Sequence, residues 1–216
     1  MAQSTFLDFA REQLPAPPAR VLEVGCGQGE LTTALAIAGH DVLGVDPAAP
    51  QGEGFRRITL EDLDASEGPF DAVVASHSLH HIRDLDQALD RIVALLRPGG
   101  AIVLDEHGWD LADEDTLDWL YHQRRALAAD GQGEAPASLE ALQDEWQADH
   151  LGLHGFEALR AAVADRFEER LFEPVPFLHR LVGGVATEVL EQALIDAGAI
   201  RALGFRYAGV SRSADT

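Results

Sequence analysis

The sequence predicts an α/β fold, with a mainly parallel sheet covered by helices on both faces. Three observations carry that expectation. Short apolar runs alternate with amphipathic stretches between Arg20 and Glu106, a glycine-rich turn joins the first run to the helix after it, and Pro98-Gly99-Gly100 stops a later helix just before another run.

Ser4 or Thr5 can cap a short helix through "FLDFAREQL", which Pro15, Pro17 and Pro18 end. "RVLEVG" reads as a buried strand, "ELTTALAIAG" as a helix closed by Gly39, "DVLGVD" as a strand, "FRRITL" as a weaker strand and "FDAVVAS" as another. In "DLDQALDRIVALL" the stripe Leu85, Leu89, Ile92 and Leu96 marks a helix with Asp84 as its cap, and "AIVLDE" follows as a strand. From Asp110 the rhythm changes. "DEDTLDWLYHQRRALAADG" is helical with Trp119 and Leu120 inward, "DGQGEAPAS" is a loop, and a second helical stretch up to Phe167 is broken at Gly152 and Gly155. The tail returns to the core pattern with the strand "FEERLFE", the helix "VATEVLEQALIDAG" and the strand "IRALGFRYAGVS". The expected organisation is a single domain over 1–216, whose core comprises 1–109 and 166–216 and whose helical insertion, 110–165, covers an acceptor site. No second hydrophobic core is expected.

Composition narrows the partners. Sixteen Lys and Arg against 37 Asp and Glu give a formal charge of −21, which repels nucleic-acid phosphates and anionic lipids. Neither nucleic acid nor a membrane is expected as a partner. The single cysteine, Cys26, excludes an intramolecular disulfide, no apolar run reaches the roughly 18 residues of a membrane span, and the first residues lack a signal-peptide pattern. A cytoplasmic location is expected.

"VLEVGCGQGELTTALA" holds Gly25, Gly27 and Gly29 between strand and helix, where the backbone turns sharply and free amides at the helix start can approach a ligand. A dinucleotide fingerprint would place a glycine at position 30, which is Glu30. Acidic residues around the turn suit a phosphate-free, cationic nucleoside such as S-adenosylmethionine. Glu23 can attract the cationic methionine end, Asp46, before Pro47, can accept from both ribose hydroxyls, and Glu61 or Asp62 can accept from an adenine amino group. Asp62 is favoured, with Leu63 as amide donor to the ring.

These motifs resemble the class I S-adenosylmethionine-dependent methyltransferase family. "LEVGCGQG" is similar to its first motif, "VLGVDPA" to its second, and "FDAVVASHSLHHIRDLDQAL" with "LLRPGGAIVLDE" to later ones. The resemblance implies a Rossmann-like seven-stranded sheet whose last strand is antiparallel and inserted beside the fifth, with the helical insertion after strand 5. It implies S-adenosylmethionine as cofactor and S-adenosylhomocysteine as product. The family's cofactor contacts fall on Glu23, Gly25, Gly27, Asp46, Asp62 and Ser76, with Cys26, Gly29, Pro47, Leu63 and His77 as their neighbours in the same motifs.

Methyl transfer needs an aligned nucleophile, exclusion of water and, for a hydroxyl or amine, a base. His77, His80 and His81 follow the fourth strand and His107 the fifth; His107, His81 and His80 are the candidate bases, His107 first because "DEHGW" opens into the insertion. Trp109, Trp146, His150 and His154 are candidate acceptor contacts. His150 and His154 have a metal-like spacing, yet Gly152 and Gly155 argue against a rigid ligand face, so no metal is expected. The expected activity is methylation of an O or N nucleophile on a small molecule. The alternatives are a protein of the same fold that binds this cofactor without transferring methyl, and a nucleotide-dependent oxidoreductase.

Overall fold

The computed structural model of the chain describes residues 5–212. Ser4, one of the two expected caps, lies outside them. Thr5 caps α1 (Phe6–Gln13) in a reciprocal box: the Asp8 amide donates to Thr5 Oγ1 at 3.2 Å, and the Thr5 amide donates back to Asp8 at 3.2 Å.

The elements that follow are β1 (Arg20–Val24), α2 (Glu30–Ile37), β2 (Asp41–Val45), β3 (Phe55–Arg56), β4 (Phe70–Ser76), α3 (Leu85–Leu95) and β5 (Leu96–His107). Next come α4 (Glu114–Ala129), α5 (Leu139–Asp149), α6 (Phe156–Arg166), β6 (Phe167–Val175), α7 (Val185–Asp196) and β7 (Gly204–Ser211). The sheet order is β3-β2-β1-β4-β5-β7-β6, with β1 to β5 parallel and the last strands antiparallel, as the sequence led us to expect. The order reverses direction at β1 and β4, so the carboxyl ends of these strands leave a crevice between diverging crossovers.

Several boundaries differ from the sequence reading. The third strand keeps only Phe55–Arg56 of "FRRITL", because after the last ladder bond, from the Asp46 amide to Arg56 O at 3.2 Å, Arg57 turns to donate to Ala49 O at 2.9 Å. Residues 58–61 are thereby freed to form a cavity wall. Pro98-Gly99-Gly100 does not separate helix from strand. α3, capped as expected by Asp84 accepting from the Gln87 amide at 3.0 Å, runs directly into β5, and the Pro-Gly-Gly lies where the β4–β5 register shifts.

The chain forms two compact units. Among the described residues the first comprises 5–106, 157–173 and 206–212, and the second comprises 107–156 and 174–205. This division differs from an insertion spanning 110–165. α6 belongs with the sheet, where Arg166 donates to Asp90 of α3 at 2.6 Å. Conversely, 174–205 joins the helical unit through bonds that only folding reveals: the Arg201 amide donates to Thr116 Oγ1 at 2.9 Å, and the Gly108 amide to Leu203 O at 2.8 Å. Each unit has its own apolar cluster, contrary to the single core expected. In the first, Phe9, Ala10 and Leu14 of α1 pack on Val21, Leu35, Val42, Val74 and Val103; in the second, Leu117, Leu120, Leu142 and Trp146 pack on Leu178, Val182 and Leu203.

Candidate functional site

In the first unit a cavity of about 360 Å³ opens at the carboxyl ends of β1, β2 and β4, within the size range of small-molecule sites. Gly25 with Val24, Asp46 with Pro47, the segment from Ile58 to Glu61, and His77, Ser78, His81 and Ile82 form its walls. Gly25 is required where it stands. Its φ of +74° favours glycine, and a β-carbon there would run into Ser78.

The amides of the glycine turn and helix start were expected to be free to approach a ligand, and four of them are engaged within the protein. Those of Gly25 and Cys26 donate to Val45 O at 2.9 and 3.1 Å, that of Gly27 to Asp46 Oδ2 at 3.1 Å, and that of Gly29 to Cys26 O at 2.8 Å. The turn is therefore a rigid support. Asp46 grips it, also accepting from the Ala48 amide through Oδ1 at 2.6 Å, and each carboxylate oxygen keeps acceptor capacity beyond one bond.

Glu23 is only 3% exposed at the end of β1 and accepts from the Thr32 hydroxyl of α2. Burial raises its pKa above the usual carboxylate range, with the Thr32 bond opposing and Asp46 adding to the rise. Cys26, between these two acids, is pushed up to about 12 by burial first, then by Glu23 and Asp46, which leaves it an unreactive packing residue. Two carboxylates beside a glycine turn, one of them deprived of water, make a nest that fits a cation-bearing nucleoside and opposes a pyrophosphate.

The adenine-side assignment changes. Leu63 is 1% exposed and its amide donates to Leu60 O at 3.2 Å, so it is not available to a ligand. Asp62 turns to accept from Thr59 Oγ1 at 3.1 Å, which leaves Glu61 as the carboxylate on the cavity wall. Ser76, the last residue of β4, is half-buried and outside that wall, where Ser78 stands instead, with its hydroxyl donating to Val24 O at 2.9 Å.

The candidate bases have three different fates. His80 is 5% exposed with Nδ1 2.6 Å from the fully buried Glu106, so it is a structural partner and not a base facing ligand. His107 belongs to the second unit, is 3% exposed, and lies face to face with Phe177 at 3.7 Å between ring centroids. It is absent from the wall of the first unit's cavity. His81 is exposed and on that wall; the half-buried His77 is on the wall too, with its Nε2 3.4 Å from the buried Asp105.

The second unit gathers most of the predicted acceptor contacts into one aromatic cluster. His107 meets Trp146 and His150 edge-on at 5.8 and 5.2 Å, and Trp109 stacks on His150 at 5.4 Å. Trp146 Nε1 donates to Trp109 O at 3.1 Å, while His150 Nδ1 is 2.7 Å from Trp146 O. α5 stops at Asp149, so His150 and His154 do not share a helix face. Sequence reasoning missed Ser78, Thr59, Glu61's precedence, Glu106 and Phe177. Glu106 had a signal: an acid inside an apolar strand run needs a buried partner.

The seven-stranded sheet in this order, with a glycine turn after β1 and an acid after β2, is the fold of the class I methyltransferases. A model of the methyltransferase domain family matches residues 3–149, and the chain belongs to that family. An uncharacterised methyltransferase of Mycobacterium tuberculosis is 32% identical over 127 residues, covering 55% of this chain and 50% of that protein. A ubiquinone biosynthesis O-methyltransferase of Nitrobacter winogradskyi is 32% identical over 122 residues, covering 47% and 46% respectively. The chain thus spans about half the length of these curated relatives. A solved S-adenosylmethionine dependent methyltransferase of Mesorhizobium loti shares the fold, with a TM-score of 0.57 at 19% identity over 94% of this chain and 95% of that one. Among the described residues no helix is long and apolar enough to cross a membrane.

Proposed function

We propose that the chain is an S-adenosylmethionine-dependent methyltransferase that methylates an O or N nucleophile of a small molecule. The observation that carries the reading is the acidic cavity itself: Asp46 and Glu61 on its wall leave negative charge that a cationic nucleoside neutralises. When bound, the cofactor supplies a methyl group made electrophilic by a sulfonium. Asp46 would hold the ribose hydroxyls, Glu61 would face the base, and Glu23 would attract the methionine ammonium. His81, exposed on the cavity wall, takes the proton released from the O–H or N–H.

The acceptor class rests on different support. The charge of −21 disfavours polyanions. The relative from Nitrobacter, named an O-methyltransferase, fits the same class. Incubation with methyl-labelled cofactor and a panel of phenols, alcohols and amines tests this directly. Label in an O- or N-methylated product supports the reading, and label confined to carbon, or none, opposes it.

A further inference from the structure

The cavity wall at Ser78 and His81 has no regular element to hold it. Residues 79–81 form one 3₁₀ turn, and the amides at its start are held by a carboxylate from β5. Glu106, 0% exposed, accepts from the Ser78 amide at 3.1 Å and the Leu79 amide at 2.7 Å through Oε1, while Oε2 lies 2.6 Å from His80 Nδ1. Leu79 is fully buried beneath the turn. From this anchor the turn presents Ser78, pressed against Gly25 and bonded to Val24 O, and His81, whose ring lies 4.1 Å from that of His80. A buried carboxylate is costly unless every oxygen is used. Here each bond is spent on the backbone or ring next to a wall residue.

We propose that Glu106 and His80 are positioning residues that set the wall of the cofactor cavity, acting through Ser78 and His81 and touching no ligand themselves. The inference rests on the cavity being the S-adenosylmethionine site. It also changes the part played by "LHH": the first histidine is an internal brace and the second the group presented to the cavity.

The chain contains its own control. In the second unit Glu191, also 0% exposed, accepts from the amides of Phe177, Leu178 and His179 at 2.8, 2.9 and 2.6 Å and lies 3.2 Å from His179 Nδ1. Replacing that carboxylate perturbs a turn of the same kind whose residues do not line the cavity. The test is calorimetric titration of the full chain with S-adenosylhomocysteine, at a temperature where thermal melts show each variant folded. Glu106→Gln is expected to weaken binding at least tenfold and Glu191→Gln less than twofold. His80→Leu is expected to follow Glu106→Gln, whereas His80→Asn, which keeps a donor near the Nδ1 position, restores affinity to within threefold of native. If Glu106→Gln does not fold, the two His80 variants decide. Equal losses in Glu106→Gln and Glu191→Gln, native affinity in His80→Leu, or no rescue by His80→Asn would overturn the proposal while leaving the cofactor site intact. No binding by the native chain would remove the cofactor reading itself, and this inference with it.

Discussion

Ser78-Leu79-His80 in the first unit and Phe177-Leu178-His179 in the second are the same turn put to two uses. Ser78 has φ −127° and ψ −37°, and Phe177 has φ −134° and ψ −38°. Each leads into a 3₁₀ turn, each middle leucine is fully buried, and each histidine lies against a buried glutamate that also collects backbone amides. What differs is the leading side chain. Ser78 is small, packs against Gly25, bonds to the neighbouring strand and leaves the cavity it lines open, whereas Phe177 covers the face of His107 and closes its surroundings into an aromatic core. The anchor fixes a backbone, and the residue hung from it decides whether the region is a cavity or a core.

The sharpest way to break that comparison is to exchange the leading residues. Ser78→Phe places an aromatic ring where even a β-carbon on Gly25 would collide, and S-adenosylhomocysteine binding is expected to become undetectable by calorimetry. Retained affinity would show that the space beside Gly25 is not used. In the other direction, Phe177→Ala is expected to cost about 2 kcal/mol of stability, below the roughly 3–5 kcal/mol of a fully buried aromatic because Phe177 is half-buried. Denaturant unfolding measures this, and cofactor affinity should stay within twofold. Asp46→Ala removes acceptors proposed for the ribose together with the grip on the Gly27 and Ala48 amides, and affinity is expected to fall about 10- to 100-fold, the scale of losing charged hydrogen bonds.

Glu23 gives the smallest effect and a sign that can be checked. Its folded pKa is raised, so the unfolded chain releases this proton at lower pH than the folded one does. Its stability contribution is present below the unfolded carboxylate value and is lost as pH rises through the folded value. Without ligand, Glu23→Gln should therefore gain stability relative to native as pH rises from 4 to 7, read as the difference in melting temperature. With S-adenosylhomocysteine the order reverses at neutral pH, with about tenfold weaker binding in the variant. A variant that binds as well as native would remove Glu23 from any contact with the ligand's ammonium.

The sequence made the sheet legible because its strands are short apolar runs with caps and stops at their ends, as in Asp84 before α3 and the glycine turn after β1. Two of the acids it singled out, Asp46 and Glu61, lie on the cavity wall. It failed where the deciding bonds join distant segments. Nothing near Leu63 shows that its amide is engaged by Leu60, and no local pattern couples Glu191 to Phe177 or Arg201 to Thr116. The second apolar cluster was hidden for the same reason, since 107–156 and 174–205 each hold half of it. His107 illustrates the limit. Its place after a strand suggested a base, and only the Phe177 ring stacked on it shows a packed side chain.

The account depends most on an acidic, glycine-braced cavity that takes a phosphate-free cationic nucleoside. Titration of the full chain with S-adenosylhomocysteine and, separately, with NAD tests it most directly. One-to-one binding of the first, abolished by Ser78→Phe, with no heat from the second, is the expected result; binding of NAD with no response to S-adenosylhomocysteine would contradict it.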